Sequence, residues 1–336
     1  MVYPPIRREA EDFRTSAPHG MVAWWQTLEN AGFIFIGSTG TRYVAMGADK
    51  LDPNFTQNVI DATGPKASAR TREIIGPLIR HIHDFAREVN LTVDEWMEGV
   101  NLINWAGQMS DDRRNEGQLI CDILGLESLV DEITFAAAAD APDAHTATAI
   151  LGPFFRHDAP LIPNGGTIIK NPPADGIITY MHGKVVDSLT AAPIPGVIID
   201  TWEASTNGLY EQQDPEQDDC NLRGRVTTDE KGEYAFYCLK PTPYPVPDDG
   251  PAGKILKMLD RQPMRPAHIH LLTTHDEYMP VTTQIFASDD EYLTNDSVFA
   301  VKDSLVVDFA PLEGSDKATR EVVYDIKLKK QPAKTA

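Results

Sequence analysis

The feature that most constrains this chain is a change of apolar pattern near residue 150. Before it, apolar residues recur at helical spacing. Thr92-Val93-Asp94-Glu95 reads as a capping box, and Trp96, Val100, Ile103 and Gly107 then form one buried stripe. Gly76-Pro77 breaks the segment upstream, with Pro77 suited to the first turn of a new helix. A further helix over 111–124 stops at Gly125, and 136–149, small and polar with Pro142, reads as a connector. After the change, 177–186, 197–202, 234–237, 268–272 and 281–286 read as short strands. Val322, Tyr324, Ile326 and Leu328 alternate with Glu321, Asp325 and Lys327 as one half-buried strand. Helices followed by strands, with no helix between the strands, specify an α+β chain. An N-terminal all-helical domain over 52–149 precedes a mainly antiparallel β-sandwich over 150–336, and 1–51 is an extension of unknown role.

Composition narrows the partners. Fifty acidic residues stand against thirty basic, a formal charge of −20, which argues against nucleic acid or an anionic membrane surface. Cys121, Cys220 and Cys238 are sparse and odd in number, and form neither a disulfide framework nor a thiolate metal site. No run approaches the ~20 apolar residues a spanning helix needs. Phe33-Ile34-Phe35-Ile36 is too short for a signal-peptide core, so the expectation is a cytoplasmic protein and not a membrane protein. Near the start, Trp24 and Trp25 make an aromatic patch. Gly37-Ser38-Thr39-Gly40 lacks the Lys-Ser/Thr that a phosphate loop requires.

Arg265-Pro266-Ala267-His268-Ile269-His270 carries the chemistry. Alternate residues of a strand share a face, so His268 and His270 project together, close enough for one metal ion. A second pair, His81 and His83, lies in a helical segment, where residues two apart diverge. Tyr210 and Tyr244 add phenolate as a second ligand type, which favours Fe(III) over zinc, and prolines on both sides of Tyr244 restrict its backbone. Taken one at a time these residues have plainer readings: a half-buried strand face for the histidines, loop packing for the tyrosines, a surface ion pair for Arg265 and a solvent-facing strand position for Gln284.

Four segments, in this order, resemble the intradiol ring-cleavage dioxygenases over residues 52 to the C-terminus. They are Ile150-Leu151-Gly152-Pro153-Phe154-Phe155, Asn221-Leu222-Arg223-Gly224-Arg225, the Arg265 to His270 segment, and Thr282-Thr283-Gln284-Ile285-Phe286. Within that family, Asp248-Asp249-Gly250-Pro251 following Tyr244-Pro245-Val246-Pro247 looks most like the hydroxyquinol 1,2-dioxygenases of fungal type. The resemblance implies a non-haem Fe(III) held by Tyr210, Tyr244, His268 and His270, with a solvent ligand. Tyr244 would be the displaceable ligand and take up a substrate proton. Arg265 would stabilise charge building on the ring, and Gln284 would support it.

The implied reaction is O2-dependent cleavage of hydroxyquinol to 3-hydroxy-cis,cis-muconate/maleylacetate, with catechol giving cis,cis-muconate as the alternative. Ile150, Leu151, Gly152, Pro153, Phe154, Val246, Pro247 and Arg265 would surround the ring. Leu119 and Asp122, at i and i+3, share a helix face, and the Asp122 carboxylate is placed to accept a hydrogen bond from a third hydroxyl. The family also implies a homodimer through the helical domain, with phospholipid at the interface. Two readings outside the family stay open on fold and histidines alone: a non-catalytic β-sandwich ligand-binding module and a zinc hydrolase.

Overall fold

The computed structural model describes residues 52–111, 114–139, 141 and 144–332. The readings made for 1–51, including Trp24, Trp25 and the Gly37 to Gly40 stretch, and for Pro142 lie outside the described residues. The chain forms two compact units, up to Thr92 and from Val93 onward, and the pattern change near residue 150 falls within the second.

The first unit holds α1 (Phe55–Asp61) and α2 (Ala69–Glu88). Ser68 caps α2, its hydroxyl accepting from the Thr71 amide. The expected break at Gly76-Pro77 does not occur, and Pro77 sits inside α2. The helix is already nucleated at Ser68 when it reaches the proline, so the lost bond and ring clash, about 3 kcal/mol, stay local. His81 and His83 are helical as expected. His83 Nδ1 lies 3.0 Å from Thr56 Oγ1 and its ring stacks on Phe55.

The second unit opens with α3 (Val93–Met109), α4 (Glu116–Ile123) and α5 (Leu126–Ala139). The predicted stripe of α3 is not buried: Trp96 and Ile103 are exposed, and Ala106 is the residue turned inward. Periodicity defines an apolar face without saying what covers it. Helix α4 begins at Glu116, later than 111, because Asn115 caps it by accepting from the Gln118 amide. Helix α5 runs into the predicted connector, since Ala136 to Ala139 are strong helix formers.

The strands are β1 (Gly166–Thr167), β2 (Ile178–Asp187), β3 (Ile198–Trp202), β4 (Arg223–Thr227), β5 (Glu233–Leu239), β6 (Tyr244–Pro245), β7 (Met264–Arg265), β8 (His268–His275), β9 (Tyr278–Ala287), β10 (Val306–Val307), β11 (Ala310–Pro311), β12 (Arg320–Val323) and β13 (Ile326–Leu328). One sheet runs β1-β5-β2-β12-β11, with β13 also on β2; the other runs β10-β9-β8-β3-β4. The long pairs β2–β5, β3–β4, β3–β8 and β8–β9 are antiparallel, while β1, β10, β12 and β13 join parallel. Met181, Val185 and Phe236 of one sheet and Ile199, Ile269, Leu271 and Ile285 of the other belong to one fully buried core.

Two expectations fail in this region. The C-terminal strand is broken between β12 and β13, because Asp325 turns its carboxylate to the Lys184 amide and takes the place of a ladder bond. Gly183 lets the Tyr324 carbonyl approach where a Cβ would stand 2.0 Å from it. A helix does interrupt the strands: α6 (Pro251–Met258), with Gly250 as its N-cap and Pro251 in the first turn.

Candidate metal centre

Strand β8 sends Ile269 and Leu271 into the core and turns His268 and His270 to its other face. Both imidazoles are buried, with their Nε2 atoms 3.2 Å apart. His268 Nδ1 lies 2.7 Å from the Pro266 carbonyl. A carbonyl only accepts, so Nδ1 holds the proton and Nε2 offers its lone pair. His270 lies flat on Trp202, its cross-strand partner, with ring centres 4.6 Å apart.

The phenols arrive from a loop and from a short strand. Tyr210 follows the turn at Gly208, which has φ +78° and would place a Cβ 3.0 Å from the Tyr244 Cβ. Tyr244 is fixed by its place in β6, directly opposite Arg265 in β7, and the Val246 amide extends this neck to the Pro263 carbonyl. Tyr210 Oη is 3.2 Å from Tyr244 Oη, which is 3.4 Å from His268 Nε2. Phe154 stacks on Tyr210 at 4.5 Å, and Arg223 stands over the same ring while its Nε bonds the buried Glu211 at 2.6 Å.

Four donor atoms therefore gather in one buried place, each 3.2–3.4 Å from the next. Ligands about 2.1 Å from a shared ion stand roughly 3.0–3.5 Å from their neighbours, so this set could hold a single transition-metal ion. The electrostatics agree. Burial, then the Arg265 charge, pushes His268 well below the ordinary imidazole range, and burial, then His268, does the same to His270. Both are therefore neutral imidazoles, the form able to bind a metal. Burial raises Tyr210 and Tyr244 above the usual phenol value, with Arg265 opposing the rise at Tyr244. A bound cation must therefore displace two phenolic protons.

Arg265 is buried beside this set, its guanidinium 3.0 Å from His268 Nε2. It donates to Gln284 Oε1 at 2.9 Å and pairs with buried Asp296 at 3.2 Å. Burial works against its charge, but Asp296 and the two phenols outweigh this and raise its pKa. Gln284 Nε2 in turn donates to the Ile150 carbonyl at 2.7 Å. Both residues are thus interior and interlocked, not on the surface.

The residues expected to wall a ring are distributed as follows. Leu119, Ile150 and Val246 share one apolar cluster; Phe154, Tyr210, Tyr244 and Trp202 form another, with Leu151 against it. Gly152, at φ +72°, stands where a Cβ would touch His270 Cε1 at 3.4 Å. Pro153 and Pro247 are half-buried beside them in sequence. Asp122 is buried on the same helix face as Leu119, with Oδ1 unpartnered. Burial, then a hydrogen bond with Glu127, pushes its carboxyl up to about 9. Sequence reasoning missed Asp296, Trp202, Glu211 and Glu127. Asp296 lies 31 residues from Arg265 in no motif, whereas Trp202, opposite His270 in the ladder, was recoverable from strand pairing.

This fold and this site define a class, and the chain belongs to it: the intradiol ring-cleavage dioxygenases. Residues 150–330 match the family model described as dioxygenase, and 68–141 match that of the catechol dioxygenase N terminus. Among curated relatives, an intradiol ring-cleavage dioxygenase, prcA, of Aspergillus niger is 52% identical, covering 83% of this chain and 89% of its own. The catechol 1,2-dioxygenase of Candida albicans is 44% identical, covering 82% and 91%. The solved structure of hydroxyquinol 1,2-dioxygenase from Pseudomonas putida DLL-E4 superposes with a TM-score of 0.72 at 34% identity, covering 82% of this chain and 98% of that one. The chain is accordingly an enzyme that opens aromatic diol rings between adjacent hydroxyls.

Proposed function

We propose that this enzyme cleaves hydroxyquinol with O2, giving 3-hydroxy-cis,cis-muconate/maleylacetate, at a non-haem Fe(III) held by Tyr210, Tyr244, His268 and His270. The observation that carries the reading is the convergence of those four donor atoms in one buried place. Two hard phenolates and two neutral imidazoles suit a ferric ion. Fe(III) bound there would supply the Lewis acidity that ionises the diol and the electronic coupling that makes its ring reactive towards O2.

The protein's own groups do the rest. Tyr244, whose Oη would help hold the ion, would also take up a proton from a substrate hydroxyl. Arg265, fixed by Asp296 and Gln284, offers a preorganised cation to negative charge on the opening ring. Ile150, Leu151, Gly152, Pro153, Phe154, Val246, Pro247 and Leu119 confine the flat ring and exclude water. The unpartnered Asp122 Oδ1 supports hydroxyquinol in particular: a buried carboxyl oxygen without a partner is matched by a substrate's third hydroxyl.

Catechol is the second reading, favoured by the 44% identity to the Candida enzyme against 37% to the hydroxyquinol 1,2-dioxygenase of Rhizobium sp.. Oxygen uptake by iron-loaded protein, with the two substrates side by side, decides. A higher kcat/KM on hydroxyquinol is expected, and a preference for catechol would remove the role given to Asp122. Zinc in place of iron by metal analysis would end the ferric reading.

The described residues contain no helix long and apolar enough to cross a membrane. A cytoplasmic homodimer formed through the helical segment, with phospholipid at the interface, completes the proposal. Its support is the exposed stripe Ile75, Leu78, Ile82 and Phe85 along α2, continued by Val89 at its C-cap, and the three unpaired cysteines. Sedimentation with lipid extraction tests it, with a dimer carrying phospholipid expected.

A further inference from the structure

Helix α4 is gripped at both ends by arginines, and the grip reaches the loop after Tyr244. At its N-terminal end Arg114 makes a bidentate pair with Asp249, at 2.9 and 2.6 Å, and its Nε bonds Glu116 Oε2 at 2.8 Å. Glu116 is fully buried, and its other oxygen accepts from the Ala252 amide at 3.2 Å. That amide is one of the free donors in the first turn of α6, whose own N-cap, Gly250, has no side chain to satisfy it. A carboxylate from α4 therefore caps α6 and faces the positive end of its dipole. Gly250 is required for the approach, since a Cβ there would stand 2.2 Å from Glu116 Oε1.

At the other end Arg261, just past α6, donates to the Ile123 carbonyl, the last of α4, at 2.5 Å and to the Ser297 carbonyl at 2.7 Å. Its guanidinium lies over Phe299, 4.6 Å from the ring centre. The interior of the clamp is apolar: Leu119 and Ile123 of α4, with Val246, Ala252 and Leu256, belong to one buried cluster.

We infer that Arg114 and Arg261 are positioning residues that set the width of the ring pocket, by holding α4, with Leu119 and Asp122, against the segment that carries Val246 and Pro247. The inference rests on the dioxygenase reading of the pocket above. Arg114 touches none of the four donor atoms, so its effect falls on substrate binding and leaves the metal in place. Its guanidinium fork matches one carboxylate with two parallel bonds, which a lysine cannot do.

The test measures iron content, the visible absorption of the ferric protein, and kcat and KM for hydroxyquinol in wild type, Arg114→Ala, Asp249→Asn and the double variant. Both single variants are expected to keep iron and colour and to raise KM about tenfold with kcat within about twofold. The double variant is expected to match the worse single one, because both break the same pair. Arg114→Lys should recover part of the loss. Arg261→Ala should likewise raise KM with the colour intact.

Wild-type KM in both Arg114→Ala and Asp249→Asn would overturn the inference while leaving the dioxygenase reading untouched. Loss of iron and kcat together with KM would also overturn it, by making the clamp a general support of the fold. A wild-type protein that neither colours with iron nor consumes oxygen would overturn the proposed function, and the positioning role with it.

Discussion

His81-Ile82-His83 and His268-Ile269-His270 are the same tripeptide in two settings. On α2 the two imidazoles point about 200° apart around the axis, and His83 is spent on a hydroxyl and a ring of α1. On β8 they share a face, 3.2 Å apart and both buried. The backbone period decides whether a pair can chelate. What surrounds the pair decides what it could do: two phenols, a buried arginine with its own carboxylate and amide, and a tryptophan floor meet the second tripeptide and not the first.

The largest contrast is expected from the histidines themselves. His268→Ala or His270→Ala should lower iron affinity by more than about a hundredfold and abolish visible colour. His81→Ala should keep full colour, and a colourless His81→Ala protein would break the comparison. Next comes Arg265→Ala, which should retain iron but lose about 10²–10³-fold in kcat. Unchanged kcat would mean that the surroundings of the second tripeptide matter less than its geometry. Asp122→Ala should cost hydroxyquinol turnover roughly tenfold more than catechol turnover in kcat/KM. Equal losses would detach the carboxyl from the third hydroxyl.

A pH series sharpens the same point. In the unfolded chain a carboxyl of this kind ionises near 4, and in the fold Asp122 holds its proton up to about 9. The stability it contributes is therefore complete below about 4 and lost as pH climbs towards 9. Asp122→Asn should flatten that part of the profile in thermal denaturation. The smallest effect belongs to the helical tripeptide: His83→Ala should destabilise by about 1 kcal/mol through its lost bond to Thr56, with activity unchanged.

How much of this could be read in the sequence varied with the range of the interaction. His268 and His270 were legible because strand period is a local rule. Tyr210 and Tyr244 offered phenolate as a ligand type, but the full four-ligand set, and the roles of Arg265 and Gln284, came through family motifs, since a lone tyrosine or arginine has many plainer uses. Asp296 was invisible: no local pattern says that a carboxylate between two turns will meet an arginine in β7. Helix α6 was missed because its eight residues are too few for an apolar period to stand out. The stripe of α3 shows the opposite failure, a clear local signal whose burial depends on partners that local pattern does not specify.

The two-residue ladder between Tyr244 and Arg265 has one more consequence. Because β6 and β7 pair at the neck, with Val246 bonded across to Pro263, the chain from 246 to 263 leaves the sandwich and returns at a single closed point. That excursion carries Val246, Pro247, Asp249, α6 and Arg261, yet contributes none of the four donor atoms. It is a cassette. On the proposed reading, exchanging it for one of different length would admit a different ring without touching the four donor atoms, provided the partners of its clamps, at Arg114 and at the Ile123 and Ser297 carbonyls, travel with it.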